Sequence, residues 1–444
     1  MEELIDVRSL ISKIQSDKQE AIELGVLKKE KKLDDIHKNE IPYSLPVGWE
    51  WLRLGDYAFK ITDYVASGSF ASLKENVLIT NEPNYAIMVK TADFSNNFSK
   101  NLTYTDEHGY TFLSNSNLFG GELILSNIGS IGKVFIVPNL GVPMTLASNT
   151  VMVKMSDKKL IKYLYYFFLS PLGQRTLKNM SSGTSMMKFN KTQLKNIIVP
   201  IAPLKQQQNI VQLFDRLSIL IENQNTQLKL LDELVKARFV EMFGNPVIGT
   251  EKWPIHTVDN VAEAVDPQPS HRTPPIDSDG IPYVSIKDCD LKSGNIDFEG
   301  ARKVSKNVLE EHLKRYELHD GDFIIGKIGT VGNPIFVPQR RNYALSANVV
   351  LVQPNKSVVR PYFLKYSFES EFVERQFNEA KNSTSQAAFG IQKVRLIRVM
   401  NPSLNVQDEF EKFAIEIDKS RSRVKKSLEA SQELFDSLMQ EYFG

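Results

Sequence analysis

Cysteine is almost absent from this sequence, and its scarcity excludes two kinds of structure. The only cysteine is Cys289, so the chain can form neither a disulfide framework nor a thiolate metal cluster, and we expect a reducing compartment. Long apolar runs are missing as well, because no stretch approaches the roughly 18 consecutive apolar residues that a membrane-spanning helix needs. The N-terminus lacks the basic start and apolar core of a signal peptide. The sequence therefore predicts a cytoplasmic protein that does not enter a membrane.

An excess of charge of either sign is also missing. The 54 Lys and Arg residues nearly balance the 53 Asp and Glu residues, which leaves a formal net charge of +1. Proteins that bind nucleic acid are often more basic than this. If this chain binds nucleic acid, we expect the binding to depend on local basic patches or on a partner that adds positive charge.

Familiar catalytic motifs are absent from the sequence. The tetrapeptide of amino-methyltransferases, in which Asn, Asp or Ser precedes Pro-Pro and an aromatic residue, does not occur. The segment Thr273–Ile276 begins with Thr and ends with the non-aromatic Ile, so it does not match. No His-Glu-x-x-His, Gly-x-Ser-x-Gly or cysteine–histidine arrangement is present. A nuclease centre of the Asp…Glu-x-Lys type is not excluded by pattern, but no convincing example follows a predicted strand. We therefore expect a non-catalytic chain with no catalytic residue and no metal site.

Two long heptad patterns are present instead, and each predicts a long helix with one apolar stripe. The first helix begins near Pro203 and ends at Gly244, and about 40 residues at about 1.5 Å each give a length near 60 Å. Its four-three seam consists of Ile210, Phe214, Leu217, Ile221, Gln224, Leu228, Leu231, Val235, Arg238 and Met242. The second seam consists of Phe410, Ala414, Ile417, Arg421, Val424, Leu428, Ser431, Phe435, Leu438 and Tyr442. We expect the two helices to pair antiparallel as an intramolecular coiled coil, with Gln224 and Arg238 setting the register.

The second globular segment and its helix repeat the first with an offset of 200 residues. The segment Gly121–Gly132 matches Gly321–Gly332 position by position, and Gln207 matches Gln407. The period is longer than that of solenoid repeats, so the chain is a tandem duplication of domains. We expect an α+β fold in which two duplicated globular segments alternate with the helices. The expected divisions are a helical lead-in (1–44), a first globular segment (45–203), a central helix (204–246), a second globular segment (247–403) and a distal helix (404–444).

A glycine-rich loop follows a strand in each globular segment, at Ile128–Lys133 in the first copy and at Ile328–Asn333 in the second. Backbone amides in such a loop can cradle a phosphate. It lacks the spacing of a nucleotide-hydrolysing loop, and no helix follows it. Alternatively, the glycines only shape a tight hairpin. The candidate phosphate-contacting residues here are Ser130, Lys133, Lys327, Thr330 and Asn333.

A second polar loop lies further along each copy and is rich in hydroxyl, amide and ammonium groups. Such groups bind phosphate oxygens and, in the major groove, base edges. The alternative is a capped loop before a short helix. The candidate residues are Thr184, Ser185, Lys188, Asn190 and Lys191 in the first copy and Thr384, Ser385 and Gln386 in the second.

The first 44 residues predict a charged helix followed by a polar stretch. The plainest interpretation is a surface helix and a linker. The other interpretation is a segment that docks on the long helices or on a partner subunit.

Several segments together resemble the specificity subunit of type I restriction-modification systems. Ile41–Trp51 is similar to that family's entry into a first target recognition domain, and Leu194–Leu204 is similar to its junction between domain and helix. Arg272–Pro274 followed by Ile281–Asp288 resembles the start of a second recognition domain, although the first copy has Ser67–Ser72 at the matching place. On this resemblance Arg272, Thr273 and Lys287 join the candidate DNA-binding residues.

The resemblance implies a DNA-reading subunit in which two target recognition domains each read one half of a split, asymmetric target. The helix pair would fix the gap between the halves. Two methyltransferase subunits using S-adenosylmethionine, and restriction subunits using ATP and Mg, would supply the chemistry, and this chain would bind no cofactor. The alternatives are the specificity region of a fused nuclease-methyltransferase and an interaction scaffold that does not bind DNA.

Overall fold

The computed structural model describes residues 6–181, 187–245, 252–268, 272–290, 294–327, 332–340, 342–382 and 390–444. The chain forms two compact units. Unit 1 comprises Met1–Asn223 and Leu428–Gly444, and unit 2 comprises Gln224–Ser427. Each of two 40-residue helices therefore contributes one part to unit 1 and another part to unit 2.

Unit 1 combines short strands with short helices, as predicted. Its elements in chain order are α1 (Val7–Glu23), β1 (Glu50–Arg53), α2 (Leu54–Tyr57), β2 (Lys60–Asp63), α3 (Phe70–Asn76), β3 (Ala86–Val89), α4 (Thr91–Ser95), β4 (Tyr104–Thr105), α5 (Glu107–Phe112), β5 (Asn117–Leu118), β6 (Leu123–Ser126), β7 (Val134–Ile136), β8 (Met144–Leu146), β9 (Thr150–Lys154), α6 (Ile161–Leu169), α7 (Pro171–Asn179), α8 (Lys191–Asn196), β10 (Ile198–Ile201) and the start of α9 (Leu204–Phe243).

A four-stranded antiparallel sheet of order β2-β9-β6-β7 is the central layer of unit 1. Strand β6 is buried along its whole length, which suits a strand covered on both faces. Leu123 and Leu125 belong to the core that contains α6, whereas Ile124 packs with a second sheet of order β4-β3-β8-β5. Unit 1 is thus layered as helices, central sheet and second sheet.

Aromatic side chains fill the helical core of unit 1. Tyr163, Phe167 and Phe168 of α6 are fully buried. Phe214 of α9 and Phe443 from the C-terminal end of the chain join the same core, and the ring centroids of Phe167 and Phe443 are 6.0 Å apart. Residues from the end of the chain therefore complete the packing of unit 1.

Helix α1 packs into this core as well. Its seam residues Val7, Leu10 and Ile14 are buried there, and Asp6 caps the helix by accepting a hydrogen bond from the backbone N–H of Ser9 at 2.8 Å. Helix α1 is thus packed into the core of unit 1.

Arg53 fastens the stretch that follows α1. Its guanidinium donates to both carboxylate oxygens of Glu40, at 2.7 and 2.8 Å. It also donates to the backbone carbonyls of Asp34, Asp35 and Asn196, at 3.1, 3.2 and 2.6 Å. One buried arginine therefore ties the N-terminal stretch to the sheet edge at β1.

Unit 2 repeats the architecture of unit 1. Its elements are the remainder of α9, β11 (Ile255–Thr257), α10 (Val258–Val261), β12 (Ala262–Val265), β13 (Ile281–Val284), β14 (Lys303–Val304), α11 (Lys306–Leu313), β15 (Phe323–Gly326), β16 (Ile335–Phe336), β17 (Ala344–Leu345), β18 (Val349–Pro354), α12 (Pro361–Phe368), α13 (Glu371–Asn382), α14 (Ile391–Arg395), β19 (Arg398–Met400) and most of α15 (Leu404–Phe443).

The strand order of unit 2 confirms the duplicated α+β fold that the sequence predicts. Its central antiparallel sheet has the order β12-β18-β15-β16, and its second sheet pairs β13 with β17 in parallel, as β3 pairs with β8 in unit 1. The junction to the long helix repeats too. Gln207 donates to the carbonyl of Ala202 at 2.7 Å, and Gln407 donates to that of Pro402 at 2.8 Å.

The long helices pair inside each unit. In unit 1 the ring of Phe214 on α9 lies 5.2 Å from that of Phe435 on α15, so the start of one helix meets the end of the other. In unit 2 the ring of Phe410 lies 5.4 Å from Phe239 and 5.5 Å from Phe243. These contacts confirm an antiparallel pair. No helix in the described ranges is both long enough and apolar enough to cross a bilayer.

The buried stripe shifts by one residue near the end of each helix. Phe239 and Phe243 are buried, whereas the seam positions Arg238 and Met242 beside them are half-buried. Arg238 pairs with Glu409 at 2.8 Å. A straight helix turns once per 3.6 residues and drifts away from a seven-residue repeat, so a strict four-three count misplaces the stripe there.

The remaining seam positions vary in burial. Ile210, Leu217 and Val235 are buried, and Gln224 donates to the Ser427 hydroxyl at 2.8 Å. The half-buried positions are Ile221, Leu228, Leu231, Ile417, Val424, Leu428, Phe435, Leu438 and Tyr442.

Candidate nucleic-acid interface

Four strand ends of unit 1 meet at one edge of its central sheet. Asp63 ends β2, Asn127 follows β6, Asn149 precedes β9, and the glycine-rich loop leads into β7. The antiparallel order β2-β9-β6-β7 places these ends side by side. We call this edge, with the 187–191 segment that packs on it, the loop edge of unit 1.

The two polar loops predicted separately from the sequence lie against each other here. Ile128 forms a β-bridge with Lys188, and the N–H of Gly129 donates to the carbonyl of Met187 at 3.1 Å. The side-chain amide of Asn127 donates to the carbonyl of Phe189 at 3.1 Å. The glycine-rich loop and the described end of the second polar loop, residues 187–191, therefore form one surface.

Gly132 is a position that strongly favours glycine. Its φ is +96°, and an added Cβ would lie 2.4 Å from the Gln174 side-chain oxygen. Gln174 in turn donates to the Gly132 carbonyl at 2.9 Å. The glycines thus shape the hairpin, and this role leaves the adjoining Ser130 and Lys133 exposed.

The cations of this edge fall into two groups. Lys133 and Lys188 are exposed and form no ion pair within the described part of the chain. Lys191 instead pairs with Asp63 at 3.0 Å. Asn190 caps α8 by accepting a hydrogen bond from the N–H of Gln193 at 2.9 Å. The first group is open to a phosphate, whereas Lys191 and Asn190 already hold the fold together.

Unit 2 builds the same edge with different chemistry. Asp266 follows β12, Lys327 follows β15 and Asn348 precedes β18. Lys327 is a candidate DNA-binding residue, but its side chain is 6% exposed and its ammonium lies 2.8 Å from Asp266. This lysine stabilises the loop edge of unit 2 and does not present a cation to solvent. Asn333 at the same edge is exposed.

The segment leading into β13 carries the remaining candidates of unit 2. Arg272, Thr273 and Lys287 are exposed. Arg302 donates to the Pro274 carbonyl at 2.6 Å and so holds the entry segment. The candidates Thr184, Ser185, Thr330, Thr384, Ser385 and Gln386 lie outside the described residues.

Buried polar groups support the second sheet of unit 2. Burial raises the pKa of Tyr283, whose hydroxyl accepts from the N–H of Ala347 at 3.0 Å. Burial lowers the pKa of His312 to about 4, and its Nε2 and Nδ1 lie 2.6 Å from Gln268 Oε1 and 3.2 Å from the Tyr316 hydroxyl. His312 is therefore a neutral structural residue at physiological pH.

The loop edge of unit 1 offers exposed ammonium, hydroxyl and amide groups, and that of unit 2 offers the exposed side-chain amides of Asn333 and Asn348. These are the groups that contact phosphates and base edges in nucleic-acid complexes. Within the described ranges no group of three or more His, Cys, Asp or Glu is placed to hold a metal ion. The two edges, each on its own sheet, give the protein a duplicated polar surface.

Comparison with known proteins specifies the family. The model of the type I restriction modification DNA specificity domain matches residues 46–232 and 275–429, most of the chain. This chain belongs to that family of DNA specificity domains. It is accordingly a non-catalytic protein with a role in DNA specificity.

Individual relatives agree with this assignment. The chain is 20% identical over 292 residues to the specificity subunit of the Escherichia coli type I restriction enzyme EcoBI, which is 60% of this chain and 61% of that protein. The fold is similar to that of the S subunit of a type I system from M. genitalium, with a TM-score of 0.55, 13% identity, and coverage of 91% of this chain and 98% of that one.

A second solved chain comes from work on the complex assembly and conformational transition of the type I restriction-modification system. It has a TM-score of 0.51 and 14% identity, and the alignment covers 90% of this chain and 99% of that chain. At these identities the two structures establish likeness of fold alone.

Proposed function

We propose that this chain is the DNA sequence-specificity subunit of a type I restriction-modification complex and reads a bipartite, asymmetric target. The observation that carries the proposal is the duplication with divergence at the loop edges. At the loop edge of its central sheet, unit 1 has Asn127 and the Lys191–Asp63 pair. At the corresponding edge, unit 2 has the Lys327–Asp266 pair. Two different edges on one scaffold suit two different blocks of sequence.

Phosphate contacts position each unit on the duplex. In unit 1, Ser130, Lys133 and Lys188 lie on one exposed surface next to backbone N–H groups. In unit 2, Arg272, Lys287 and Asn333 are exposed. Such contacts supply affinity that does not depend on sequence and that weakens with salt.

The helix pair α9 and α15 sets the gap between the two blocks. The chain also holds two methyltransferase subunits and the restriction subunits of the complex. These partners use S-adenosylmethionine, ATP and Mg, and this chain itself binds none of them. The complex works in the cytoplasm.

Mapping of methylated adenines tests the proposal. The full chain is co-expressed with a cognate type I methyltransferase subunit, and genomic adenine methylation is sequenced. The expected result is one split motif, with two short blocks around a fixed unspecified gap. Exchange of residues 45–203 for those of another family member should change one block only. A stable complex that methylates no such motif would instead support an interaction scaffold that does not read DNA.

The phosphate role is tested by salt dependence. In K133Q/K188Q, the slope of log affinity against log salt should fall by about 2, since each lost phosphate contact contributes roughly 0.9. The control is K28Q/K29Q, because both of these exposed lysines lie on the stretch after α1. Equal slopes for the two double variants would remove Lys133 and Lys188 from the interface.

A further inference from the structure

Each loop edge presents one asparagine at the same place. Asn149 is the residue directly before β9 in unit 1, and Asn348 is the residue directly before β18 in unit 2. Both are exposed. The surfaces around them differ between the two units, so the recurrence of the same side chain at an exposed position needs a reason.

The two asparagines accept the same backbone hydrogen bond, although only Asn149 has a positive φ. The carbonyl of Asn149 accepts from the N–H of Asn127 at 3.2 Å, and the carbonyl of Asn348 accepts from the N–H of Lys327 at 2.8 Å. In both units the donor is the first residue after the middle strand of the central sheet. Each asparagine is thus fixed to a rigid strand end at the centre of the loop edge.

The turns that carry the asparagines are held by other side chains. In unit 1 the Thr150 hydroxyl donates to the carbonyl of Ala147 at 2.8 Å. In unit 2 the Ser346 hydroxyl accepts from the N–H of Asn348 at 3.2 Å. Asparagine commonly stabilises a turn through its own amide. Here, within the part of the chain that the structure describes, neither side-chain amide of Asn149 or Asn348 bonds to another residue.

An exposed, unbonded carboxamide on a fixed backbone has a specific use at a DNA surface. Its oxygen accepts from N6 and its nitrogen donates to N7 of adenine, which together form the bidentate contact that distinguishes adenine in the major groove. In unit 1 Lys188 is close to Asn149, because Lys188 forms a β-bridge with Ile128, and Ile128 adjoins Asn127, which bonds to Asn149. A phosphate contact and a base contact would therefore fall on neighbouring nucleotides.

We infer that Asn149 and Asn348 are base-reading residues, each of which recognises one adenine in the block read by its own unit. This inference rests on the proposed function and names the residues that carry part of its specificity. Since the two asparagines occupy equivalent positions, the two adenines occupy corresponding places in the two blocks.

Selection from a randomised duplex pool tests the assignment with the full chain. In N149G, preference for adenine at one position of one block should fall roughly tenfold to a hundredfold, the value of a bidentate contact. In N348A, one adenine of the other block should be lost to the same extent. All other positions should keep their preference. The matched control is S148A, which changes the exposed neighbour of Asn149 in the same turn.

Glycine separates base reading from a turn role at Asn149. The φ of Asn149 is +70°, a conformation that glycine adopts without strain. If Asn149 only formed the turn, N149G would keep the selected motif, and that result would overturn the assignment. A wild-type motif without adenine in either block would overturn it as well. A wild-type chain that enriches no motif would overturn the proposed function and the assignment together.

Analogue duplexes give a second readout. Replacement of the selected adenine by 7-deazaadenine removes the N7 acceptor and should weaken wild-type binding about tenfold. The same replacement should leave N149G unaffected. Equal losses for both proteins would show that another group reads the base.

Discussion

The loop edges of units 1 and 2 contain the same ion pair but take its lysine from different segments. In unit 1, Asp63 at the end of β2 pairs with Lys191 at the start of α8. In unit 2, Asp266 after β12 pairs with Lys327, which stands where unit 1 has Asn127. The pair belongs to the scaffold, since both units keep it. The side chains that remain for DNA contact therefore differ between the units, although the sheet beneath them is the same.

The β1 edge of unit 1 and the β11 edge of unit 2 differ more than the two loop edges do. Arg53 pairs in register with Ile198, and Thr257 pairs in register with Arg398, so Arg53 and Thr257 are equivalent positions. Arg53 holds the N-terminal stretch on unit 1, whereas a threonine cannot make those bonds. Among the described residues, the equivalent position in unit 2 therefore does not supply this fastening.

The largest expected effect tests what the units share. F214A in unit 1 and F410A in unit 2 should each lower the free energy of unfolding by about 3–5 kcal/mol, because each removes a fully buried ring from an aromatic cluster. Native-state hydrogen exchange of peptides from each unit measures the two losses. L434A is the control, since Leu434 is 49% exposed. A loss in only one unit would contradict an equivalent role of the helix pair.

Lysine removal tests how the ion pairs differ. K327A should cost about 3 kcal/mol, because both partners of this pair are largely shielded from water, with side chains 6% and 15% exposed. K191A should cost less than about 1 kcal/mol, since the Lys191 side chain is 34% exposed and water can replace it. Urea unfolding of the two variants gives the comparison. Equal costs would mean that burial does not separate the two pairs.

Loss of the arginine fastening should affect one unit only. R53A should destabilise unit 1 by about 2–3 kcal/mol, since buried carbonyls and Glu40 lose their donor. T257A at the equivalent position should change stability by less than about 0.5 kcal/mol. Faster exchange in peptides from residues 6–45 of R53A, with unit 2 unchanged, is the expected pattern. Protection that is unaltered there would contradict the role of Arg53.

Acid should lower the folding stability of the two units over different pH ranges, with no effect near neutral pH. The pKa of His312 is about 4 in the folded chain against an ordinary 6.5, so the unfolded chain takes up the proton first and unit 2 loses stability between about pH 6.5 and 4. The hydrogen bonds from Arg53 lower the pKa of Glu40 from 4.5 to about 2, so that contribution to unit 1 is lost between those values. H312Q should remove the upper range only, as followed by unfolding at each pH.

The sequence predicts the scaffold well because its signals are local and repeated. The apolar run Leu123–Leu125 predicts strand β6, and the aromatic-rich stretch Ile161–Leu169 predicts helix α6. The second copy repeats this order of elements. The heptad seam places Phe214 and Phe410 correctly. It misplaces the stripe near Phe239, where the 3.6-residue turn of a straight helix has drifted from the repeat.

The site is less predictable because its outcome depends on contacts distant in sequence. Lys327 beside a glycine-rich loop has the pattern of a phosphate-binding residue, but Asp266 from another strand captures its ammonium. In the sequence Asn149 and Asn348 are separated by one residue less than the repeat offset of 200, so a simple shift by 200 does not align them. Their equivalence becomes visible only when the strand register is known.

The composition of unit 1 from two separate stretches of chain has a consequence for biosynthesis. Unit 2 is contiguous, from Gln224 to Ser427, so a ribosome delivers all of it before Met439 and Phe443 are made. Those two side chains lie in the core of unit 1. The unit whose synthesis begins first is therefore the last to be completed, and it spends the translation of the intervening residues with part of its core open to solvent and chaperones.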